Sequence, residues 1–112
     1  MVDTNNMLSV LDGYLQDNPS EIAKQMSQDF RRRRVEKGQT REQLAEQSGV
    51  AVSNIVRFEQ KGLISLNNLI ALATTLGYGT ELKSLFSAPK YSTMEELMQI
   101  RKNANKSKVY RK

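Results

Sequence analysis

The chain has 112 residues, of which 38% are hydrophobic and 26% are charged, a composition typical of a small globular protein. It contains no cysteine and no histidine, which excludes a disulfide framework, a catalytic Cys or His and an ordinary zinc site. No cofactor is therefore predicted, and an enzyme is the least expected class. No apolar run approaches the ~18 residues of a membrane span and no signal peptide opens the chain, so we expect a cytoplasmic protein without membrane contact.

The positive charge is concentrated in one part of the chain. The net charge is +5, but residues 1–30 hold five acids and a single base, Lys24. Residues 31–112 therefore hold 16 bases and seven acids, a net charge of +9. This distribution is typical of a body that binds a polyanion such as DNA and carries an acidic arm. A basic surface without a ligand is the alternative at this point.

Hydrophobic spacing predicts helices throughout the chain and no strand pair, which indicates an all-α fold. An amphipathic, acidic helix is expected at 5–16, and it needs a surface to pack on: its own domain, a second copy or another protein. Pro19 opens the next helix, whose inward side chains are expected to be Ile22, Met26 and Phe30. Further helices are predicted at 41–47, 52–60, 66–76, 81–86 and 93–103.

The most informative segment is 40–59, which reads TREQLAEQSGVAVSNIVRFE. Thr40 and Gln43 have the spacing of a helix capping box, and Gly49 suits a tight turn because glycine tolerates the left-handed conformation. The apolar side chains expected to lock the two short helices to the rest of the domain are Val50, Ile55 and Phe58. The segment is therefore interpreted as a helix-turn-helix unit whose second helix projects and can enter the major groove of DNA.

The outward side of this second helix carries hydrogen-bonding side chains. With Ile55 inward and about 100° per residue, helix geometry turns four side chains outward: Ser53, Asn54, Arg57 and Lys61. Arginine pairs with guanine, asparagine with adenine, and an apolar side chain can meet the methyl group of thymine. The side chains predicted to contact bases are therefore Val52, Ser53, Asn54 and Arg57. A merely solvated polar face is the alternative interpretation.

Four consecutive arginines precede the segment, from Arg31 to Arg34. They look like a nucleic-acid patch, but four consecutive helical residues fan around about 300°, so they cannot all face one ligand. Arg34 is predicted to have a structural role within the domain. One or two of the others remain candidate phosphate contacts.

Residues 22–86 resemble the Cro/CI-type (XRE) helix-turn-helix domain. The shared features are Arg34 four residues before Gly38, the T-x-E-Q-L-A stretch at 40–45, Gly49-Val50, the I-x-x-F-E sequence at 55–59 and Leu-Gly at 76–77. The resemblance implies a five-helix, lambda-repressor-like domain that binds a palindromic DNA operator as a homodimer and represses transcription. We accordingly expect an N-terminal helical arm at 1–18, a DNA-binding domain at 19–88, and a C-terminal helix with a basic tail at 89–112.

The same resemblance implies roles for single residues. It assigns base contacts to the first positions of the second helix and to Arg57, and it implies a structural ion pair between Arg34 and Glu59. The predicted phosphate contacts are Arg41, Gln43 and Lys61. Two residues depart from the family pattern. Ala51 occupies the N-cap, which is usually Ser, Thr or Asn, at a cost of about 1 kcal/mol, and Val52 stands where Gln or Arg is more usual.

The sequence YSTMEEL at 91–97, followed by a run of bases up to Lys112, is similar to the extension found in HipB-type antitoxins. These antitoxins are encoded beside HipA-type kinase toxins. The resemblance implies autorepression of a toxin–antitoxin operon and a HipA-like kinase toxin as a partner. Three alternatives stay open: a disordered basic tail that adds non-specific DNA affinity, a phage or restriction-system regulator, and an interaction module that sequesters a kinase toxin and binds DNA only incidentally.

Overall fold

The computed structural model describes residues 18–106 of the chain. Within this range the chain is helical with short connections and contains no strand. The helices are α1 (Pro19–Glu36), α2 (Arg41–Ser48), α3 (Val52–Lys61), α4 (Leu66–Thr75), α5 (Gly79–Lys83) and α6 (Met94–Lys106). The all-α prediction is confirmed, whereas the helix predicted at 5–16 lies outside the described residues.

The chain divides into two compact units, with the boundary between Gly79 and Thr80. The first contains α1 to α4 and the second contains α6, with α5 beginning at the division. The domain boundaries expected from the sequence, at 1–18, 19–88 and 89–112, stay predictions. In the described part of the chain, no helix has the length and apolar content needed to cross a membrane.

Local capping sets where the first helices begin. Asn18 Oδ1 accepts a hydrogen bond from the backbone N–H of Ser20 at 2.9 Å, which caps α1 ahead of Pro19. At α2, the Thr40 hydroxyl accepts from the Gln43 N–H at 3.0 Å, and the Gln43 side-chain oxygen accepts from the Thr40 N–H at 2.9 Å. The predicted capping box is therefore confirmed, and it fixes the first turn of the helix-turn-helix unit.

The core of the first unit is formed mainly by α2, α3 and α4. Its buried apolar side chains are Leu44, Val50, Ile55, Phe58, Leu72 and Leu76. The ring of Phe30 on α1 packs against the ring of Phe58, with 5.1 Å between their centroids. Burial of each such large side chain contributes roughly 1.5–3 kcal/mol, so this cluster is what holds α3 against the other helices.

The inner side of α1 differs from the prediction. Phe30 packs against the core, but Ile22 and Met26 are 44% and 41% exposed, so the expectation that they face inward is wrong. The residues on the inner side, at helical spacing, are Ala23, Ser27, Phe30 and Arg34. A Cβ at Gly62 would lie only 3.3 Å from Ala23. Because the end of α3 approaches α1 this closely, small side chains occupy the contact and the large apolar ones lie beside it.

Candidate nucleic-acid interface

The turn between α2 and α3 consists of Gly49, Val50 and Ala51. Gly49 has a left-handed backbone with φ of 77°, and its N–H donates to the Ala45 carbonyl at 2.9 Å, which ends α2. Val50 is 3% exposed and anchors the turn to the core. Ala51 provides no side-chain hydrogen bond to the start of α3, as the sequence predicts. Packing, rather than a cap, therefore holds the beginning of α3.

One face of α3 is buried and the opposite face is exposed. Ile55, Phe58 and Glu59 are buried, with exposed fractions of 0%, 3% and 9%. Five side chains of α3 are exposed: Ser53, Asn54, Arg57, Gln60 and Lys61. Gln60 was not predicted from the sequence, and the other four are called the outer face of α3 below. Val52, in the first turn of the helix, is half-buried. These exposures agree with the helix phasing, while contact of the side chains with DNA bases stays a prediction.

The side chains of the outer face have no partner within the described part of the chain. Neither Asn54 nor Arg57 forms a side-chain hydrogen bond or ion pair with any of residues 18–106, and the same holds for Ser53 and Lys61. A guanidinium and an amide carry the donor and acceptor groups that bidentate base contacts use. The outer face is therefore open to a polar ligand.

A groove of about 360 Å³ lies beside the outer face, between α3 and the start of α4. Its lining residues are Asn54, Arg57, Leu63, Ile64, Ser65 and Asn68. The Ser65 hydroxyl caps α4 by accepting from the Asn68 N–H at 3.2 Å. Neither Ser65 nor Asn68 is among the site residues predicted from the sequence. The signal that points to them is the polar first turn of α4, because the first turn of a helix also presents N–H groups that lack partners within the helix.

Arg34, Arg41 and Glu59 form a hydrogen-bonded group on the inner side of α3, called the arginine cluster below. Arg34 donates from Nε to Glu59 Oε2 at 2.7 Å and from Nη2 to Glu59 Oε1 at 3.0 Å. Arg41 donates from Nε to the same Oε1 atom at 3.0 Å. The side chains of Glu59, Arg34 and Arg41 are 1%, 9% and 31% exposed. Glu59 is thus held between a cation from α1 and a cation from α2.

The two arginines keep Glu59 ionised. Burial alone raises the pKa of this carboxyl, but the hydrogen bonds and charges of Arg34 and Arg41 outweigh burial and hold its pKa below the usual value. The cluster then has two cations for one anion. Arg34 also donates from Nη1 to the carbonyl of Gln39 at 2.8 Å. All three nitrogens of its guanidinium therefore have partners within the protein.

The three residues predicted to contact phosphate lie in different environments. Arg41, the first residue of α2, belongs to the arginine cluster, and its Nη groups have no partner among the described residues. The side-chain oxygen of Gln43 is part of the capping box, and Lys61 is the exposed last residue of α3. The structure brings Arg41 to Arg34 and Glu59, a contact that the sequence did not predict. It joins neither Gln43 nor Lys61 to that cluster.

The run of four arginines divides between surface and interior. Arg32 pairs with Asp29, and Arg33 donates to both carboxylate oxygens of Glu36 at 2.7 Å, all on the exposed side of α1. Of the four, Arg34 is the one that turns into the interior. Exposed ion pairs one turn apart contribute little to stability, so the surface arginines act mainly through their charge.

Residues 30–82 match a protein-family model described as Helix-turn-helix. The match begins near the end of α1 and extends through α2, α3 and α4 into the short α5. It therefore contains the turn, the outer face of α3, the groove and the arginine cluster. Comparisons with curated proteins and with solved structures found no match.

Proposed function

We propose that the protein is a sequence-specific, DNA-binding transcriptional repressor of the XRE type, and the match of residues 30–82 to a helix-turn-helix family model supports this proposal. In this proposal it binds a palindromic operator as a homodimer. The observation that carries the proposal is the outer face of α3, where exposed hydrogen-bonding side chains have no partner among residues 18–106. A helix of this kind is what the major groove accepts.

Base reading is assigned to one end and one face of α3. Arg57 donates to O6 and N7 of a guanine, and Asn54 forms the equivalent pair of bonds with an adenine. Ser53 bonds a neighbouring base, and Val52 meets a thymine methyl group. Each good bidentate pair discriminates against a wrong base by about 1–3 kcal/mol, so Arg57 and Asn54 supply most of the sequence preference.

Backbone binding is assigned to residues that flank the reading face. Three side chains contact phosphates: Arg41 at the start of α2, Gln43 two residues later and Lys61 at the end of α3. These contacts fix the register but carry no sequence information. The net charge of +9 on residues 31–112 supports this contribution because each neutralised phosphate releases counterions. Binding is therefore expected to weaken steeply as salt is added.

The direct test uses the DNA upstream of the gene that encodes the protein, because autorepression places the operator there. Footprinting should show two protected half-sites about 34 Å apart, one turn of the duplex, and sedimentation should show two protomers on that DNA. A monomer bound to a single half-site contradicts the homodimer. Affinity that does not change with salt contradicts the proposed phosphate contacts.

We further propose that the repressor is the antitoxin of a HipBA-like operon, with a HipA-like kinase toxin as its partner. The support is the resemblance of residues 91–97 to HipB-type antitoxins, together with large apolar side chains exposed in the second unit. The most exposed of these are Phe86, Met94, Met98 and Leu85, at 90%, 70%, 65% and 64%. A phage or restriction-system regulator, and a module that sequesters a kinase without regulating DNA, are the competing assignments.

The neighbouring reading frame and one binding experiment decide between them. An antitoxin predicts a HipA-type kinase gene beside this one, and co-purification of that kinase with the full chain. Full-chain protein that does not bind the neighbouring kinase contradicts the antitoxin role. Kinase binding without any effect on transcription from the shared promoter would instead favour the sequestering module.

A further inference from the structure

Glu59 contacts two arginines whose side chains differ in exposure. We propose that Glu59, besides pairing with Arg34 in the interior, positions Arg41 to bind a phosphate of the DNA backbone. This inference rests on the phosphate contact of Arg41 in the proposed function. It makes Glu59 a positioning residue that touches no DNA itself.

The geometry divides the Arg41 guanidinium between two tasks. Its Nε donates to Glu59 Oε1 at 3.0 Å, while its Nη groups have no hydrogen-bond partner among residues 18–106. The Glu59 side chain is 1% exposed and is fixed by two further bonds from Arg34, so it is a rigid anchor. The Arg41 side chain is 31% exposed, which leaves part of it accessible to an anion.

The charges of the cluster favour a second anion. Arg34 forms a forked pair with both oxygens of Glu59 and thereby balances its charge. The charge of Arg41 is left over, and a planar guanidinium is well suited to bidentate phosphate recognition. Because Glu59 holds the side chain in one orientation before DNA binds, less rotamer freedom is lost on binding.

Glu59→Gln separates positioning from plain electrostatics. Removal of an acid normally strengthens DNA binding, because the acid repels phosphate. If Glu59→Gln binds DNA more weakly than wild type, the loss of negative charge cannot be the cause, because that loss alone would strengthen binding. Glu36→Gln is the matched control, since Glu36 loses the same charge but pairs with Arg33 on the exposed side of α1. We expect the control to bind as well as wild type or slightly better.

The decisive experiment is a double-mutant cycle of Glu59→Gln and Arg41→Ala. Affinity is measured by fluorescence anisotropy on a duplex of mixed sequence and about 20 base pairs, which is long enough for two protomers one helical turn apart. The measurements are made at low salt and at a temperature below the melting transition of every variant. Glu59→Gln should weaken binding about threefold to tenfold in the wild-type background and less than about twofold when Arg41 is already Ala. Equal weakening in both backgrounds would show that Glu59 acts only through the fold and would overturn the inference.

Two further outcomes keep the inference separable from the proposed function. If Arg41→Ala binds like wild type at every salt concentration, the phosphate contact itself is wrong. Arg41→Lys tests positioning without touching the pair of Arg34 and Glu59, because lysine keeps the charge but lacks the Nε donor and the fork. It should bind closer to Arg41→Ala than to wild type, and this holds as a test even if Glu59→Gln does not fold. Wild-type affinity for Arg41→Lys would overturn the inference.

Discussion

The outer face of α3 and the arginine cluster on its inner side both contain polar groups, but these groups differ in their hydrogen-bonding partners. Arg57 and Asn54 have no partner among residues 18–106, whereas Arg34 and Arg41 share the buried carboxylate of Glu59. Buried polar groups must be paired within the protein, while exposed ones can exchange water for a ligand. One short helix therefore separates an exposed polar face, which we propose reads DNA, from a cluster whose polar groups are paired within the domain.

The largest expected effect comes from removing the shared carboxylate. Glu59→Ala leaves Arg34 buried without its anion and should lower the free energy of unfolding by about 3–5 kcal/mol. Urea denaturation followed by circular dichroism measures the loss. Glu36→Ala, which breaks the exposed pair with Arg33, is the control and should change stability by less than about 1 kcal/mol. Equal losses for the two variants would mean that the cluster is no more important to the fold than a surface pair.

Arg57 on the outer face of α3 and Arg41 in the arginine cluster should affect DNA binding in different ways. Arg57→Ala should lose about 1–3 kcal/mol of binding energy on the operator and much less on scrambled DNA. Arg41→Ala should weaken binding to both DNAs alike and reduce the salt slope by about 1. Binding curves for the two variants at several salt concentrations make the comparison. If Arg57→Ala lowers both affinities equally, α3 is not the reading helix.

Acid should weaken the arginine cluster without any mutation. The pKa of Glu59 is lowered in the folded protein, so its contribution to stability is complete above the ordinary glutamate pKa and is lost as pH falls through the lower folded value. Protonation keeps the side chain in place, so the loss should be smaller than that of Glu59→Ala. Unfolding free energies from neutral pH to strongly acid pH should fall more steeply for wild type than for Glu59→Gln. Parallel curves would contradict this assignment.

The smallest expected effect concerns the start of α3. Ala51 has the extended backbone of an N-cap residue, with φ of −60° and ψ of 143°, but supplies no cap. Ala51→Ser should therefore stabilise the free protein by about 1 kcal/mol, and Thr40→Ala, which removes an existing cap, should destabilise it by a similar amount. Thermal unfolding without DNA measures both. No gain for Ala51→Ser would indicate that packing alone determines where α3 begins.

The local part of the helix-turn-helix unit could be predicted well from the sequence. The predicted helices at 41–47 and 52–60 correspond to Arg41–Ser48 and Val52–Lys61, and the capping box at Thr40 forms as expected. These features depend on neighbouring residues: a hydroxyl, a glutamine three positions later, and a glycine at the turn. The exposed side of α3 follows from the same local periodicity.

Features that depend on how helices approach each other were not predictable in this way. Hydrophobic spacing favoured Ile22 and Met26 as inner residues of α1, but the close approach of Gly62 requires Ala23 at the contact. The bond from Arg41 to Glu59 joins different helices, and no spacing rule indicates it. The polar start of α4 is visible in the sequence, but Ser65 and Asn68 line a groove together with Arg57 only after α3 and α4 have packed. Distances between elements, not patterns within them, decide these contacts.

The measurement that most directly tests base reading by the outer face of α3 is selection of DNA from a randomised duplex library. Wild type, Arg57→Ala and Lys61→Ala would be compared, the last being an exposed cation of the same helix that is assigned to phosphate. We expect wild type to select a palindrome with a guanine in each half-site, Arg57→Ala to lose the preference at that base pair alone, and Lys61→Ala to keep the full motif at lower affinity. The same motif from wild type and Arg57→Ala would contradict the account.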